Sequence, residues 1–428
     1  MVTSVVSPKL RGAVRVEPVG RTSCTYVAAF AVLFALLSLA PAQVDAQISD
    51  GIVRIGVLND ESGPYAPFAG PGSRVAALMA VEDFDAAAKG IKVEIVFADH
   101  RNNLEVGSRI AREWFDTGKV DVIVDVPTSS IALAVNKIAR EKGKAFLVTS
   151  SGTSDLTGKA CSPNTIHWTY DTWALAHSTG MALVQSGADT WFFVTADYAF
   201  GYSIEREVEA VVLANGGKVL GKVRHPFPTT SDFSPFLVRA QASHAKVVGL
   251  ANAGADTINA IEQGTRLGIV QGGQRMVALL AFLTDVHALG LGKTQGLILS
   301  ESFYWDLNDQ TRAWSARFAR RHWGAMPAMP HAGTYAAVLH YLKAVDALKS
   351  DDGTKVIAKM KAIPTDDPLF GKGSIREDGR KLHPMYLFEV KKPSESRGPW
   401  DLYKLRATIP ADEAFRPLDE GDCPMVKK

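Results

Sequence analysis

The stretch VDVIVDVPTSSIALAVNKIAREKGKAFLVTSSGTS, residues 120–154, carries the pattern on which the fold of this chain depends. Its first apolar run, 120–124, predicts a short buried strand, and the amphipathic stretch at about 130–140 predicts a helix. A second apolar run follows at 145–148. Short buried strands that alternate with helices of about 10–15 residues are typical of a parallel, doubly wound sheet. Both runs end in a loop that is rich in hydroxyl side chains.

The same alternation extends in both directions from residue 50 onward. An irregular segment, 149–164, divides it into two units of similar size, and a third block follows from residue 297. We therefore predict an α/β fold with two doubly wound lobes joined by several short crossings. The other predicted strands are 52–58, 92–98, 190–194, 218–224, 246–251, 275–280, 297–300, 385–390 and 400–404. The other predicted helices are about 72–87, 104–116, 173–185, 202–215, 232–242, 257–267, 310–323, 331–349 and 354–362.

The composition is that of a globular protein. Of the 428 residues, 46% are hydrophobic and 21% are charged, and the length allows two or three domains. The 47 Lys and Arg residues nearly balance the 45 Asp and Glu residues, which leaves a net charge of +2. This balance gives no reason to expect binding to nucleic acid or to an acidic membrane surface.

The first 46 residues predict a signal peptide. A basic stretch that contains Lys9, Arg11, Arg15 and Arg21 precedes an apolar run at about 27–40, and small residues follow it. The apolar run is shorter than the roughly 20 residues that span a bilayer, although a single membrane anchor is the alternative. We therefore expect export across the inner membrane and a periplasmic location for the mature chain.

Two cysteines remain once the predicted leader, with Cys24, is removed. Export to an oxidising compartment favours a disulfide between Cys161 and Cys423, the only available pair. The alternative is two buried thiols. A bridge would tie the C-terminal tail to the body of the protein.

The familiar catalytic and cofactor motifs are absent after the leader. The sequence has no G-x-S-x-G elbow, no H-E-x-x-H helix, no phosphate-binding loop and no C-x-x-C pair. Two prolines and the wrong glycine spacing in the loop at 63–72 argue against a dinucleotide site. The ten histidines, between His100 and His383, show no metal-ligand spacing. We expect neither a cofactor nor a metal.

Hydroxyl side chains follow two neighbouring strands of the predicted first sheet. Residues 127–130 read PTSS after the third strand, and residues 149–154 read TSSGTS after the fourth. Ligands of doubly wound sheets bind outside the carboxyl ends of the strands, and helix N-termini there suit an anion. The loops therefore predict a carboxylate site. The alternative is ordinary capping of the helices that follow.

Aromatic side chains follow strands of the second unit. Tyr198 and Phe200 come after one strand, Phe282 after another, and Phe303, Tyr304 and Trp305 after the strand that ends near residue 300. Rings at strand ends often line a ligand pocket. Packing in the core is the alternative for each of them.

With these features the chain resembles the type I periplasmic solute-binding proteins of the leucine/isoleucine/valine-binding type, which serve ABC transporters. The likeness runs from about residue 52 to residue 404, and its order and spacing matter more than any single piece. The pieces are SGPY at 62–65, LTG at 156–158, DYAFG at 197–201, and FG at 370–371 followed by Phe388.

The resemblance implies two Rossmann-like lobes, a three-crossing hinge and a ligand enclosed when the lobes close. The crossings would fall near 168–172, 299–303 and 386–390. Lobe 1 would contain 47–169 plus 302–386, and lobe 2 would contain 170–301 plus 387–428 with the C-terminal tail.

The resemblance also implies the ligand contacts. Ser129 or Ser130, and then Ser151 and Thr153, match positions that hold the ligand carboxylate, while the second lobe contributes an aromatic residue and the loop 252–256. Amino-acid binders of this type place an acid after the strand at 275–280, but this chain has AFLT there, and Asp285 follows. An α-amino acid would need Asp285 or Asp256 instead, since a buried unpaired ammonium is costly. The candidate ligand-binding residues are Tyr65, Ser129, Ser130, Ser151, Thr153, Tyr198, Phe200, Asn252, Phe282 and Tyr304.

These observations favour the solute-binding component of an ABC importer rather than an enzyme. The expected ligand is a small carboxylate, either like a branched-chain amino acid or an aromatic or aliphatic acid. We expect a monomer that docks on a membrane permease. Two alternatives stay open: a ligand-sensing partner of a signalling receptor, and an exported α/β hydrolase with Ser151 as nucleophile.

Overall fold

The computed structural model of this chain describes residues 48–427, and its first strand begins at Val53. The predicted signal peptide, 1–46, lies outside the described residues. Within the part that is described, no helix is both long and apolar enough to cross a membrane.

Five parallel strands form the first sheet, in the order β2-β1-β3-β4-β5. The chain turns in opposite directions after β1 and after β3, so the carboxyl ends of these two strands border a crevice where ligands bind in such sheets. The sheet and the helices on it are called the first lobe below. Its elements are β1 Val53–Asn59, α1 Gly70–Phe84, β2 Val93–Asp99, α2 Leu104–Asp116, β3 Val122–Asp125, α3 Ser129–Lys142, β4 Ala145–Val148 and β5 Thr165–His167.

Four parallel strands form the second sheet, in the order β7-β6-β8-β9. Its crevice lies at the carboxyl ends of β6 and β8 for the same reason. This sheet and its helices are called the second lobe. Its elements are α4 Thr172–Leu175, α5 Met181–Gln185, β6 Thr190–Ala196, α6 Ala199–Ala214, β7 Lys218–His225, α7 Ser234–Ala242, β8 Val247–Ala251, α8 Ala255–Arg266, β9 Arg275–Ala278, α9 Leu283–Leu289 and α10 Leu291–Thr294.

The rest of the chain crosses between the lobes and completes the first one. Strands β10 and β14 are antiparallel neighbours, with Glu301 opposite Tyr386, and β15 lies on the other side of β14. The long helix α12 packs along α1 and is buried on nearly all sides. These elements are β10 Ile298–Glu301, α11 Asp309–Arg321, α12 Met329–Leu348, α13 Gly353–Ala362, β11 Thr365–Asp367, β12 Gly371–Ile375, β13 Lys381–Leu382, β14 Met385–Val390 and β15 Tyr403–Ile409.

The predicted α/β class with two doubly wound lobes is confirmed, and the predicted lobe boundaries stay a prediction. Several details were wrong, and the short elements β5, α9 and α10 were not predicted. The helix predicted at 173–185 is interrupted by a π-turn, Ala176–Gly180, where the Ser178 hydroxyl donates to the Ala174 carbonyl at 2.6 Å. The antiparallel sheet β11-β12-β13 was not predicted, because its Gly-rich, polar strands lack apolar alternation. The last strand starts at Tyr403 rather than at residue 400.

The predicted bridge between Cys161 and Cys423 is confirmed, with the two Cα atoms 5.6 Å apart. The tail that follows β15 therefore ends on the first lobe. Phe415 packs under the buried Arg380 guanidinium, whose carbon lies 4.4 Å from the ring centre, and the Arg416 guanidinium donates to the Ser154 carbonyl. The tail is thus part of the packing around the first lobe.

Candidate functional site

A cleft lies where the carboxyl ends of the two sheets face each other. Its cavity is small, about 10 Å³, and is lined from both lobes. A larger hollow lies beside β9 and β10. No residue of the two hydroxyl loops or of the first lobe lines it. The residues that line the cleft are Tyr65, Phe68, Pro127, Gly152, Tyr170, Tyr198, Phe200, Ala253 and Leu280.

Two tyrosines meet across the cleft. Tyr65 follows β1, and its hydroxyl forms a hydrogen bond with the hydroxyl of Tyr198, which precedes α6. Phe227 stacks on both rings, with centroids 4.2 Å from Tyr198 and 5.3 Å from Tyr65. The Asp60 carboxylate fixes the first-lobe loop by accepting the Tyr65 backbone N–H at 2.8 Å. The two lobes are therefore joined by contacts between aromatic side chains at the cleft.

A second group of rings forms the inner wall. Phe68 stacks on Phe282 with centroids 4.2 Å apart, and Tyr170 meets Phe282 edge to face at 5.7 Å. Gly152 lies directly against this wall, since a Cβ placed there would come within 2.8 Å of the Phe200 ring and 3.0 Å of the Tyr170 ring. Only a glycine lets the loop after β4 approach the rings so closely.

Contacts around the rim hold the two lobes together. The Ala255 backbone N–H donates to the Pro64 carbonyl at 3.2 Å, and the Arg206 guanidinium pairs with Asp155 at 3.2 Å. Gly254 precedes the first of these contacts and has φ +58°. The described residues therefore show the cleft in a closed arrangement.

Most hydroxyls of the two predicted loops have hydrogen-bond partners within the protein. Ser129 Oγ accepts hydrogen bonds from Ser151 Oγ at 3.0 Å and from the Thr153 N–H at 3.3 Å. Thr153 Oγ1 lies 3.3 Å from Ser203 Oγ in the second lobe and accepts from the Asp155 N–H at 3.4 Å. The last contact caps the short 3-10 helix that follows. Thr153 therefore caps a helix, which was the alternative to a carboxylate site in the sequence analysis.

Backbone N–H groups are the donors that remain at this point. Thr128 occupies the N-cap position of α3, but its hydroxyl donates to Asn102 Oδ1 and makes no cap bond. The first N–H groups of a helix have no acceptor within the helix, so those of Ser129 and Ser130 lack one. Within residues 48–427 the Gly152 N–H has no acceptor either. Such a set of donors suits an anion.

The turn that leads into this region is strained. Asp125 has φ +87° and Val126, a β-branched residue, has φ +56°, both in the left-handed region. Such backbone conformations cost about 1–3 kcal/mol each and tend to occur at functional sites. The turn sets the direction of the loop 127–130 as it leaves the sheet.

Four buried carboxyl groups near the crevices and the hinge have raised pKa values. Burial raises the pKa of Asp125 to about 6, those of Asp256 and Asp285 to about 7, and that of Glu301 to about 8. The charge of Asp285 contributes to the shift at Glu301, which lies at the end of β10 and accepts the Tyr403 hydroxyl at 2.9 Å. Burial favours the neutral form of an acid.

We expect the free energy of unfolding to fall between about pH 6.5 and pH 8. A carboxyl with a raised pKa in the folded state contributes stability below its unfolded pKa and loses it as pH rises through the folded value. Buried histidines, whose pKa values are lowered, act oppositely but add nothing above their unfolded pKa of about 6.5. They are His100, His167, His225, His331, His340 and His383.

Glu301 makes the largest contribution to this fall, on the order of 1–2 kcal/mol. Glu301→Gln retains the acceptor for Tyr403 and carries no charge, so it should flatten the profile above pH 7. Urea unfolding at half-unit pH intervals measures this. A profile that is unchanged in the variant would mean that Glu301 is not the titrating group.

The structure brings most of the predicted site residues together. Tyr65, Tyr198 and Phe200 line the cleft, Phe282 packs behind Phe68, and the loops with Ser129, Ser130, Ser151 and Thr153 lie at the first-lobe side. Two predicted residues, Asn252 and Tyr304, do not line the cleft.

Asn252 and Tyr304 have partners outside the cleft. The side-chain oxygen of Asn252 accepts a hydrogen bond from the Thr257 hydroxyl at 2.8 Å, and the residue is buried. The Tyr304 hydroxyl donates to the Trp400 carbonyl at 3.2 Å, and its ring packs 5.0 Å from Tyr403. Tyr304 is therefore a core residue of the hinge, the alternative that its sequence position left open.

Three aromatic residues at the cleft were not predicted. Phe68 lies in the Gly/Pro loop after β1, Tyr170 lies in the first crossing, and Phe227 follows β7. Each comes shortly after a strand, so the rule applied to Tyr198 would have found Phe227 and Phe68. Tyr170 gives no such signal, because β5, the strand that precedes it, was not predicted.

Ser151 lacks the partner that a nucleophile needs. Its hydroxyl donates to Ser129, while His167 Nε2 contacts the Ser151 carbonyl at 2.7 Å rather than the hydroxyl. A serine nucleophile is activated by a base within reach of its hydroxyl. No group of three or more His, Cys, Asp or Glu residues in the described range is arranged to hold a metal ion.

Comparisons with known proteins find similarity along nearly the whole chain. A family model described as periplasmic binding protein matches residues 52–397. The Leu/Ile/Val-binding protein homolog 4 of Brucella melitensis is 22% identical over 416 residues, which cover 92% of this chain and 97% of the relative.

Solved structures are similar over the same region. A periplasmic binding protein from Burkholderia mallei has a TM-score of 0.86 and 47% identity, with 88% of this chain and 100% of that chain covered. A branched chain amino acid ABC transporter periplasmic ligand-binding protein from Burkholderia xenovorans has a TM-score of 0.76 and 39% identity, with 87% and 99% covered.

Proposed function

Because this chain belongs to the type I periplasmic binding proteins, we propose that it is the solute-binding component of an ABC importer and encloses a small carboxylate between its lobes. Members of this family bind substrates and are periplasmic. Hinge closure around a ligand is well attested for such proteins. The closed form would then dock as a monomer on a membrane permease.

The observation that carries this proposal is the cleft shared by both lobes. Rings from the first lobe, Tyr65 and Phe68, meet rings from the second, Tyr198 and Phe282. Apolar walls with a few convergent polar groups are typical of small-molecule sites. A ligand placed here touches both lobes and therefore stabilises their closure.

The free N–H groups of Gly152 and of the start of α3 support a carboxylate as the charged end of the ligand. Gly152 lines the cleft next to the rings of Tyr170 and Phe200, and the start of α3 contacts the same loop through Ser129. Hydrogen bonds to a charged acceptor are worth about 1.5–3 kcal/mol each. The apolar part of the ligand, aromatic or aliphatic, would pack on the rings.

We expect carboxylic acids to raise the melting temperature of the mature protein, while their uncharged amides do not. The panel contains benzoate, 4-hydroxybenzoate, 4-methylpentanoate and leucine, with benzamide and 4-methylpentanamide as matched controls. A ligand at a thousandfold excess over Kd stabilises by about 4 kcal/mol. Thermal-shift measurement over a range of concentrations gives the apparent Kd.

Equal shifts with the amides would contradict a carboxylate site, and no shift with any acid would contradict the proposed ligand class. Gly152→Leu is the site control, because its side chain would enter the space of the Phe200 and Tyr170 rings. It should abolish the shift. Gly398→Leu, at a half-buried position with no atom within 4 Å of its Cβ, should not.

A further inference from the structure

The larger hollow beside β9 and β10 is separate from the cleft. Its volume is about 540 Å³, within the range of roughly 300–1,000 Å³ that is typical of small-molecule sites. Residues of β9 and residues of β10 both line it. Among the described strands, β9 pairs only with β8 and β10 only with β14, so each has an edge without a neighbouring strand. Proteins usually cover or blunt such edges, which gives a reason for an occupant here.

The lining of the hollow is mainly apolar. Leu183, Ile261 and Met276 are buried residues of the second lobe, and Leu387 of β14 lines the hollow from the side of the hinge. Val270 also lines it and is 55% exposed. Concave sites with predominantly apolar walls and a few polar groups are those that take small organic ligands. The lining therefore suits the apolar part of a ligand.

The charged residues that line the hollow are both basic. Lys293 is paired, with its Nζ 2.6 Å from a carboxylate oxygen of Glu262. Arg275 donates to the Ser186 hydroxyl at 3.1 Å, and within residues 48–427 it forms no ion pair with a carboxylate. A guanidinium matches the two oxygens of a carboxylate, so Arg275 can hold the charged end of an acid.

The wall next to Arg275 follows the π-turn of the second lobe. Ala182 and Leu183 of α5, and Ser186 just after it, line the hollow, and the turn Ala176–Gly180 directly precedes α5. A π-turn adds one residue to a helix and so rotates the face that follows by about 100°. Such turns are frequent at functional sites. The turn is therefore a second feature, independent of charge, that marks this region.

We propose that the hollow is a second binding site, for a carboxylic acid with an extended apolar tail, of the medium-chain fatty acid class. The carboxylate pairs with Arg275, and the tail lies on the apolar lining. The site does not depend on which ligand the cleft encloses, because no residue lines both. Since Leu387 belongs to a strand that crosses between the lobes, the occupant touches the hinge as well as the second lobe.

Calorimetry on the mature protein with hexanoate, octanoate and decanoate tests this proposal. Each additional buried CH₂ group should raise the affinity by up to about fourfold. Decan-1-ol is the matched uncharged ligand and should bind at least about tenfold more weakly than decanoate, because it lacks the charged acceptor. Gly152→Leu, which fills the cleft beside the Phe200 and Tyr170 rings, should bind decanoate like wild type.

Arg275→Ala should weaken decanoate binding at least about tenfold, because the charged partner is lost. Arg239→Ala is the matched control and should leave the affinity unchanged, since Arg239 is an exposed arginine of α7 that does not line the hollow. Ala182→Phe should abolish binding, because the larger side chain fills the hollow. Circular dichroism and melting temperature verify that each variant is folded. None of the three should change binding of the acids that occupy the cleft.

Three results would overturn the inference while the proposed function stands: no binding of decanoate, equal binding of decan-1-ol, or loss of decanoate binding in Gly152→Leu, which would place the acid in the cleft. Analytical ultracentrifugation tests the other occupant, a second copy of this chain. A dimer that Ala182→Phe dissociates would assign the hollow to that contact and overturn the inference. The proposed function fails separately, if benzoate and the other acids of the thermal-shift panel do not bind wild type.

Discussion

Replacing Gly254 with alanine is expected to weaken ligand binding at least about 100-fold, which corresponds to about 2.7 kcal/mol. Gly254 has φ +58° and ψ −132°, a conformation that is essentially restricted to glycine. A Cβ at this position would lie 2.5 Å from the Pro64 carbonyl oxygen and 3.0 Å from the Tyr65 ring. The alanine methyl would therefore hold the two lobes apart where they meet.

Gly273→Ala is the matched control for this substitution. Gly273 also has a positive φ, +94°, but no atom lies within 4 Å of its Cβ position. Both variants carry backbone strain, but only the methyl group of Gly254→Ala would contact the other lobe. Calorimetry with the tightest-binding acid measures affinity, and small-angle X-ray scattering with the same acid measures closure. Equal affinities in the two variants would show that the contact at Pro64 does not limit closure.

Removal of the disulfide should lower the free energy of unfolding by roughly 5 kcal/mol. The bridge joins residues 262 positions apart, and in the chain-entropy model so long a loop greatly restricts the unfolded ensemble. Equilibrium unfolding in guanidinium chloride of the double variant Cys161→Ser/Cys423→Ser, compared with wild type, measures the difference. The double variant avoids a free thiol that could form dimers.

A second control separates the covalent bond from the packing of the tail. Arg416→Ala removes the donor to the Ser154 carbonyl and leaves the bridge intact. It should cost about 1 kcal/mol, the usual size of one hydrogen bond. If the double cysteine variant loses no more than Arg416→Ala, the bridge contributes little beyond the packing that the tail already has.

The alternation of apolar runs and amphipathic stretches predicted most of the fold. Strand β4 was predicted at the residues it occupies, and α2 likewise, because buried parallel strands and helices with one apolar face have distinct periods. Strand β12 was missed because its residues are Gly-rich and polar, and its position depends on neighbours far away in sequence. The cysteine pair was predicted because elimination left only one partner.

The site was predicted less completely, for a physical reason. Ser and Thr after a strand serve equally well to cap a helix or to hold an anion, and the sequence does not distinguish the two uses. In the structure Thr153 caps a 3-10 helix, whereas Gly152, which has no side chain to signal a role, lies against the rings of Phe200 and Tyr170. Asp256 was recognised as a possible acid, but its unpaired oxygen depends on tertiary contacts.

The position of α12 in the chain constrains the order in which the lobes can form during synthesis. The second lobe is built mainly from one continuous segment, 172–294, which can fold as soon as it has emerged. The first lobe must wait for α12, which packs along α1 from more than 240 positions later, and for Cys423, which follows its partner Cys161 by 262 positions. The half of the protein that is synthesised first is therefore the half that is completed last, and its strands depend on protection from wrong partners throughout that interval.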